Sequence, residues 1–311
     1  MRIVIMGTGG VGGYFGARLA HAGSDVHFVA RGRQLQALRE RGLRIESPLG
    51  DVHLPRVSAT DEPATLGSAD LVLFGVKLWD SEAAAAQIRP LIGPRTAVVS
   101  LQNSVVKDDI LRGVLGEAAV VGGACYIAAT IAEPGHIRHT GTMQKIAVGE
   151  FDGQASARLQ AFAQACQAAG IAHEISTDIR RTIWEKFVFL VGLSGITTAT
   201  RVPIGVIRGQ PRTMTLLRDV MDEVAAVARA EGVPVAADYV ATRIALVDTL
   251  PDTLTSSMHH DLNRGSRLEV PWLAGDVVAR GQRLGVPTPC NRAIADLLAV
   301  HAQGRVGPAT P

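Results

Sequence analysis

The stretch Arg2-Ile3-Val4-Ile5-Met6-Gly7-Thr8-Gly9-Gly10-Val11-Gly12, running on into Tyr14-Phe15-Gly16-Ala17-Arg18-Leu19-Ala20, decides the fold of this chain. It reads as strand, glycine turn, helix. Glycines at these places permit a tight turn, let backbone approach a pyrophosphate with no Cβ in the way, and bring helix close to strand. The N–H groups at the helix start favour phosphate charge. A bare G-x-G-x-x-G is a weak signal. Here it follows a strand-like run and precedes a second one, Asp25-Val26-His27-Phe28-Val29, at the distance a βαβ unit requires. Gly7, Thr8, Gly9, Gly10, Val11 and Gly12 are therefore read as a dinucleotide-binding turn.

The residue after the second strand selects the dinucleotide. An NAD site usually carries Asp or Glu about 20 residues past the glycines, accepting hydrogen bonds from the adenosine 2′-hydroxyl. That place holds Ala30 and then Arg31, with Arg33 close behind. A guanidinium offers N–H donors to a phosphate that a carboxylate would repel, so the expected cofactor is NADP(H).

Composition sets the surrounding bounds. The chain has 311 residues and 47% hydrophobic content, enough for two cores. A net charge of +2 with signs interspersed, and only 4% aromatics, provides neither a basic stripe nor a stacking platform, so no nucleic-acid partner is expected. Cys125, Cys166 and Cys290 are scattered without C-x-x-C spacing, which argues for a reducing, cytoplasmic setting and against disulfides or structural zinc. No apolar run reaches the roughly 18 to 20 residues of a membrane span.

From residue 1 to about 150, short β-rich runs at 71–76, 96–101 and 119–127 alternate with helical patterns. That alternation predicts an α/β fold with a Rossmann-type, doubly wound parallel sheet. Residues 136–149 alternate polar and apolar around Thr140-Gly141-Thr142, as in an antiparallel hairpin added to the sheet. A helix over 156–170 and a short run at 172–175 follow. From Asp178 onward the periodicity is helical, with segments at 184–199, 211–231, 237–250, 255–263, 270–284 and 290–302. The expected organisation is a dinucleotide-binding domain over 1–177 and an all-α substrate and catalytic domain over 178–311, with 304–311 frayed. Apolar helix faces are compatible with a homodimer.

A hydride acceptor needs a proton donor beside its oxygen, which directs attention to Trp184-Glu185-Lys186. Lys186 opens an otherwise apolar helix, where an ammonium is expensive to bury. Lys186, Leu190 and Ser194 share one face at i, i+4 and i+8. Read from spacing alone, Lys186 could equally snorkel from a first turn, and Glu269 could be an ordinary first-turn acid. Lys77 and Asn103 follow predicted strands at their carboxyl ends, the edge where open α/β sheets bind ligands. Ser256-Ser257 opens a short polar helix whose adjacent His259 and His260 point apart, so no metal site is expected.

Together, Gly7-Thr8-Gly9-Gly10-Val11-Gly12, Ala30-Arg31-Gly32, Val76-Lys77, Leu101-Gln102-Asn103, Trp184-Glu185-Lys186 and Ser256-Ser257-Met258 with Arg267-Leu268-Glu269 resemble the ketopantoate reductase (2-dehydropantoate 2-reductase) family over nearly the whole chain. The resemblance implies NADPH-dependent reduction of a small 2-keto acid, ketopantoate to pantoate in pantothenate biosynthesis or a related branched acid. It implies Lys186 as general acid, Glu269 as the residue binding the substrate hydroxyl, Asn103 and Ser257 at cofactor and substrate, and Lys77 on the cofactor. The family usually has asparagines one and two turns beyond the lysine, where this chain has Leu190 and Ser194, and a glycine where it has Ser104. A polar substrate group facing Leu190 would lose its partner, which favours a more apolar tail. A 3-hydroxy-acid or opine dehydrogenase, and a catalytically silent NADP-binding regulator, are the rival readings.

Overall fold

The computed structural model describes residues 1–305. The chain divides into two compact units, one formed by Met1–Gln102 and Lys107–Thr182, the other by Asn103–Val106 and the chain from Ile183 onward.

The first unit is built on strands β1 (Arg2–Met6), β2 (Asp25–Val29), β3 (Leu43–Glu46), β4 (Val52–Leu54), β5 (Ser58–Thr60), β6 (Leu71–Phe74), β7 (Ala97–Ser100), β8 (Val120–Glu133), β9 (His136–Gly149) and β10 (Ala172–Ile175). Their order is β4-β3-β9-β8-β7-β6-β1-β2-β5, with β10 on β9. From β8 across to β5 every pairing is parallel. From β1 the chain passes to β2, forms β3 and β4 at the far edge beyond β9, adds β5 outside β2, and then enters β6 on the other side of β1. That reversal makes the carboxyl ends of β1 and β6 the switch point where doubly wound sheets take ligands.

Alternation along the central strands covers both faces of the sheet. Ile3 and Ile5 pack with Tyr14, Phe15 and Leu19 of α1 (Gly10–His21) and with Leu159 and Phe162 further along the chain. Val4 and Met6 point the other way, into a core with Ala84, Ala85, Ile88 and Leu111. The period of two along a strand produces this split directly. The remaining helices of this unit are α2 (Gly32–Arg41), α3 (Ser81–Ile88), α4 (Lys107–Leu115) and α5 (Ala157–Ala168).

Residues 136–149 depart from the hairpin expected of them. They form the single strand β9, antiparallel to β8, and the chain reverses at Pro134-Gly135, where Gly135 has φ +80°. Thr140-Gly141-Thr142 lies within an irregularity of the ladder: pairing passes from Ile127↔Gln144 to Ala129↔His139, so the β9 side carries extra residues. His139 braces this bulge, its Nε2 3.0 Å from the Met143 carbonyl and its Nδ1 2.9 Å from Ser47 Oγ. Burial pushes the His139 pKa down, which favours the neutral ring those two contacts suit.

The helical unit contains α6 (Ile179–Thr200) from Ile183 on, then α7 (Ile204–Arg208), α8 (Pro211–Ala230), α9 (Tyr239–Val247), α10 (Ser257–Arg264), α11 (Ala274–Leu284) and α12 (Pro289–Ala299). α6 crosses α8 closely at Gly192, where a Cβ would stand 2.8 Å from the Met221 side chain. Val188, Val191, Leu217, Val220, Met221 and Val224 are buried in these two helices. Among the described residues no helix is long and apolar enough to cross a membrane. Gly304 and Arg305 hydrogen-bond to His301 and Gly265; the rest of the tail expected to fray lies outside the described residues.

Candidate active site

The turn after β1 divides its labour among its residues. Gly7 sits at φ +97°, and a Cβ there would lie 2.8 Å from the Val76 nitrogen. Gly12 allows α1 to approach the strand, since its Cβ would fall 2.3 Å from the Gly7 carbonyl oxygen. The N–H groups of Gly7 and Thr8 and the Thr8 hydroxyl all donate to the Val29 carbonyl, pinning the turn to the end of β2. Gly10 serves packing, with Ala129 O of β8 only 2.3 Å from where its Cβ would be. Gly9 opens on space: nothing lies within 4 Å of its Cβ position. It is also the N-cap of α1, with no side-chain cap and no acid in the first turn. Val11, partly buried, packs against the sheet core. This open backbone and uncapped helix start fit a pyrophosphate. Gln34, which the sequence reading passed over, clamps the turn: its Nε2 donates to Thr8 O at 3.0 Å and its Oε1 accepts from Gly135 N–H at 3.0 Å.

Arg31 is the N-cap residue of α2, and its side chain is 83% exposed. It is not idle: its Nη2 donates to Asp80 Oδ2 at 2.7 Å. Lys77 follows β6, with its ammonium 5.6 Å from the centre of the Trp79 ring. Gln102, buried at the end of β7, donates to the Val76 carbonyl and to Ser81 Oγ and accepts from Ser100 Oγ. This satisfied amide ties the segments after β6 and β7 together.

In the second unit, Lys186 Nζ donates to Asn103 Oδ1 at 2.7 Å across 83 positions of sequence. An ammonium has only donors, so the Asn103 carbonyl faces the lysine and its N–H₂ fork faces away. Because α6 begins at Ile179, with Asp178 Oδ1 accepting the Arg181 N–H, Lys186 lies two turns inside the helix. This corrects the expectation that it opens the helix, and removes snorkelling from a first turn as an account of it. Ser104, standing where the family usually has glycine, donates to the Trp272 carbonyl at 3.2 Å. Trp272 belongs to the 3₁₀ turn Val270–Trp272 that Glu269 begins, and its N–H donates to Glu269 O. The segment carrying Asn103 is thus joined to Lys186 and to the Glu269 turn. Glu269 is buried, and it precedes a 3₁₀ turn where a first α-helical turn was expected, α11 starting only at Ala274.

Leu190 is half-buried and Ser194 fully buried on α6. Ser257 is exposed at the start of α10, and its neighbour Ser256 is the cap, accepting the His259 N–H at 3.1 Å. The Ser256 hydroxyl also meets Thr197 Oγ1 of α6 at 3.1 Å, so it fastens α10 to the lysine helix.

Two family models match the chain: ketopantoate reductase PanE/ApbA over residues 3–153 and the ketopantoate reductase PanE/ApbA C-terminal domain over residues 178–302. A 2-dehydropantoate 2-reductase of Archaeoglobus fulgidus is 34% identical over 297 residues, covering 96% of both chains. The crystal structure of a PanE/ApbA family ketopantoate reductase from Ralstonia eutropha superposes with a TM-score of 0.88 at 35% identity, covering 97% of this chain and 98% of that one. A ternary structure of D-mandelate dehydrogenase with NADH and anilino(oxo)acetate has a TM-score of 0.89 at 22% identity, covering 97% of this chain and 98% of that one, a likeness of fold alone.

Proposed function

The chain belongs to the ketopantoate reductase family of oxidoreductases, and from that premise we propose that it reduces a branched 2-keto acid with NADPH, ketopantoate being the leading candidate. In this reading residues 1–177 carry the dinucleotide and 178–311 supply substrate contacts and the proton. Gly7 to Gly12 receive the pyrophosphate, Arg31 the 2′-phosphate, and Lys77 and Asn103 the cofactor further along. A bound reduced nicotinamide supplies the hydride to C2 of the acid.

The chain's own residues supply the rest. Lys186 polarises the C2 carbonyl and gives its proton to the alkoxide formed there, leaving a neutral amine that water reprotonates. Asn103 holds the ammonium in place through Oδ1 and directs its N–H₂ toward an acceptor on substrate or cofactor. Glu269 accepts a hydrogen bond from the substrate hydroxyl. Leu190, half-buried, gives the substrate end an aliphatic contact, with Ser194 buried one turn behind it, and Ser257 is the exposed hydroxyl at the start of α10.

The observation that supports this most is the 2.7 Å contact between Lys186 Nζ and Asn103 Oδ1, on the two positions that the family resemblance assigns to the chemistry. The test is NADPH consumption over a panel of 2-keto acids that includes ketopantoate, shorter branched acids and the 2-keto acid corresponding to mandelate. Turnover with branched acids is expected. NADPH binding without oxidation across the panel would overturn the reading in favour of a silent regulator. Oxidation of 3-hydroxy acids alone would overturn it in favour of the 3-hydroxy-acid dehydrogenase reading.

A further inference from the structure

Asp80 stands at the N-cap position of α3 yet makes no side-chain cap, although aspartate there ordinarily accepts N–H groups of the first turn. Its carboxylate goes to Arg31 instead, at 2.7 Å. The 3₁₀ turn Leu78–Asp80 delivers it there, closed by the Asp80 N–H on Lys77 O. The two residues arrive from opposite sides of β1, Arg31 following β2 and Asp80 following β6, so the pair spans the switch point beside the glycine turn. A carboxylate in that place bears on a dinucleotide in two opposite ways. A 2′-phosphate approaching Arg31 must displace an anion already bound to the guanidinium and then lie near its charge. A 2′-hydroxyl can instead donate to the same carboxylate, the arrangement by which NAD sites use an acid.

Resting on the dinucleotide reading of this site, we propose that Asp80 is a cofactor-specificity residue: it opposes the preference that Arg31 confers for the 2′-phosphate and makes the protein accept NADH alongside NADPH. Arg31 and Asp80 work as a pair of opposed selectors. Neutralising the acid leaves the guanidinium unshared and sharpens the choice of NADPH; removing the guanidinium leaves the acid and reverses the choice.

The test is direct binding of NADPH and of NADH, by titration calorimetry or by nicotinamide fluorescence, to the full chain and to its Asp80→Asn, Asp80→Ala and Arg31→Ala variants. The quantity read is the ratio of the two affinities, which loss of a merely structural contact would leave alone because it would weaken both dinucleotides together. Asp80→Asn and Asp80→Ala are expected to raise the NADPH-to-NADH affinity ratio about three- to tenfold. Arg31→Ala is expected to lower it by about tenfold or more. A ratio unchanged or lowered by both Asp80 variants, with binding intact, overturns the proposal while leaving the dinucleotide site standing. Failure of the unmodified chain to bind either dinucleotide overturns the site reading and this proposal with it.

Discussion

The glycine turn of the first unit and the lysine cluster of the second are made of different material. The turn is backbone: its character comes from a φ of +97° at Gly7, a close approach at Gly12 and open space at Gly9, all within one short run of sequence. The cluster is side chain: Lys186 from the middle of a helix bonds Asn103 from a segment after β7, and Ser104 beside it bonds the carbonyl of Trp272 in the 3₁₀ turn that Glu269 begins. A site made of backbone tolerates change everywhere except where a Cβ cannot fit. A site made of side chains is lost when one functional group is removed, while the fold survives.

That contrast predicts how each region fails. The largest effect belongs to Lys186→Ala, which should reduce kcat by about 10²- to 10⁴-fold. Its dissociation constant for NADPH, followed by fluorescence, should stay within a factor of about two of the unmodified chain. Equal damage to turnover and NADPH affinity would break the comparison, because the lysine would then belong to both regions. Gly12→Ala should act in the reverse sense: its Cβ would press on the Gly7 carbonyl at 2.3 Å, and NADPH affinity should fall by roughly 10- to 100-fold. Calorimetry on the variant reads this directly, and an unaltered affinity would mean the turn has slack that the geometry denies.

A further effect tests the framework and leaves both regions' chemistry alone. Glu150 receives Arg158 through two short hydrogen bonds, Nε–Oε1 at 2.8 Å and Nη2–Oε2 at 2.7 Å. Burial raises its pKa, but the hydrogen bonds from Arg158 and Ser156 and the Arg158 charge outweigh it and hold the carboxyl below its usual range. A depressed carboxyl contributes stability above its unfolded pKa of about 4.3, and that contribution is lost as pH falls through the lower folded value. Glu150→Gln should therefore cost about 1–3 kcal/mol at neutral pH. In denaturant melts the gap to the unmodified chain should close as pH drops below about 4.

The same contrast explains what the sequence made legible. Local rules suffice for a turn, so the glycines, the parallel strands and the helical second half could be read from spacing. The bulge in β9 could not, because Thr140-Gly141-Thr142 has the composition of a turn, and only pairing with β8 places the reversal at Pro134-Gly135. Strands β3, β4 and β5 are three or four residues long with charged or polar members, too short for alternation to register. The start of α6 was missed because Arg180, Arg181 and Thr182 carry no apolar stripe, while the Asp178 cap that starts the helix is a single side chain. Lys186 was visible as a cation in an apolar run and Asn103 as a residue at a strand's carboxyl end, but their pairing was not, since nothing local links positions so far apart. Asp80 went unread for the same reason: an acid after a strand has no meaning until Arg31 is seen beside it.

The proposed reaction passes hydride from a nicotinamide to C2 of a 2-keto acid. NADPH carrying deuterium at the transferable position of its nicotinamide ring, incubated with the protein and ketopantoate, tests it by mass spectrometry of the product. Deuterium bound at C2 of pantoate is the predicted result. Pantoate without deuterium, or none formed from ketopantoate or any related 2-keto acid while NADPH remains bound, would contradict it.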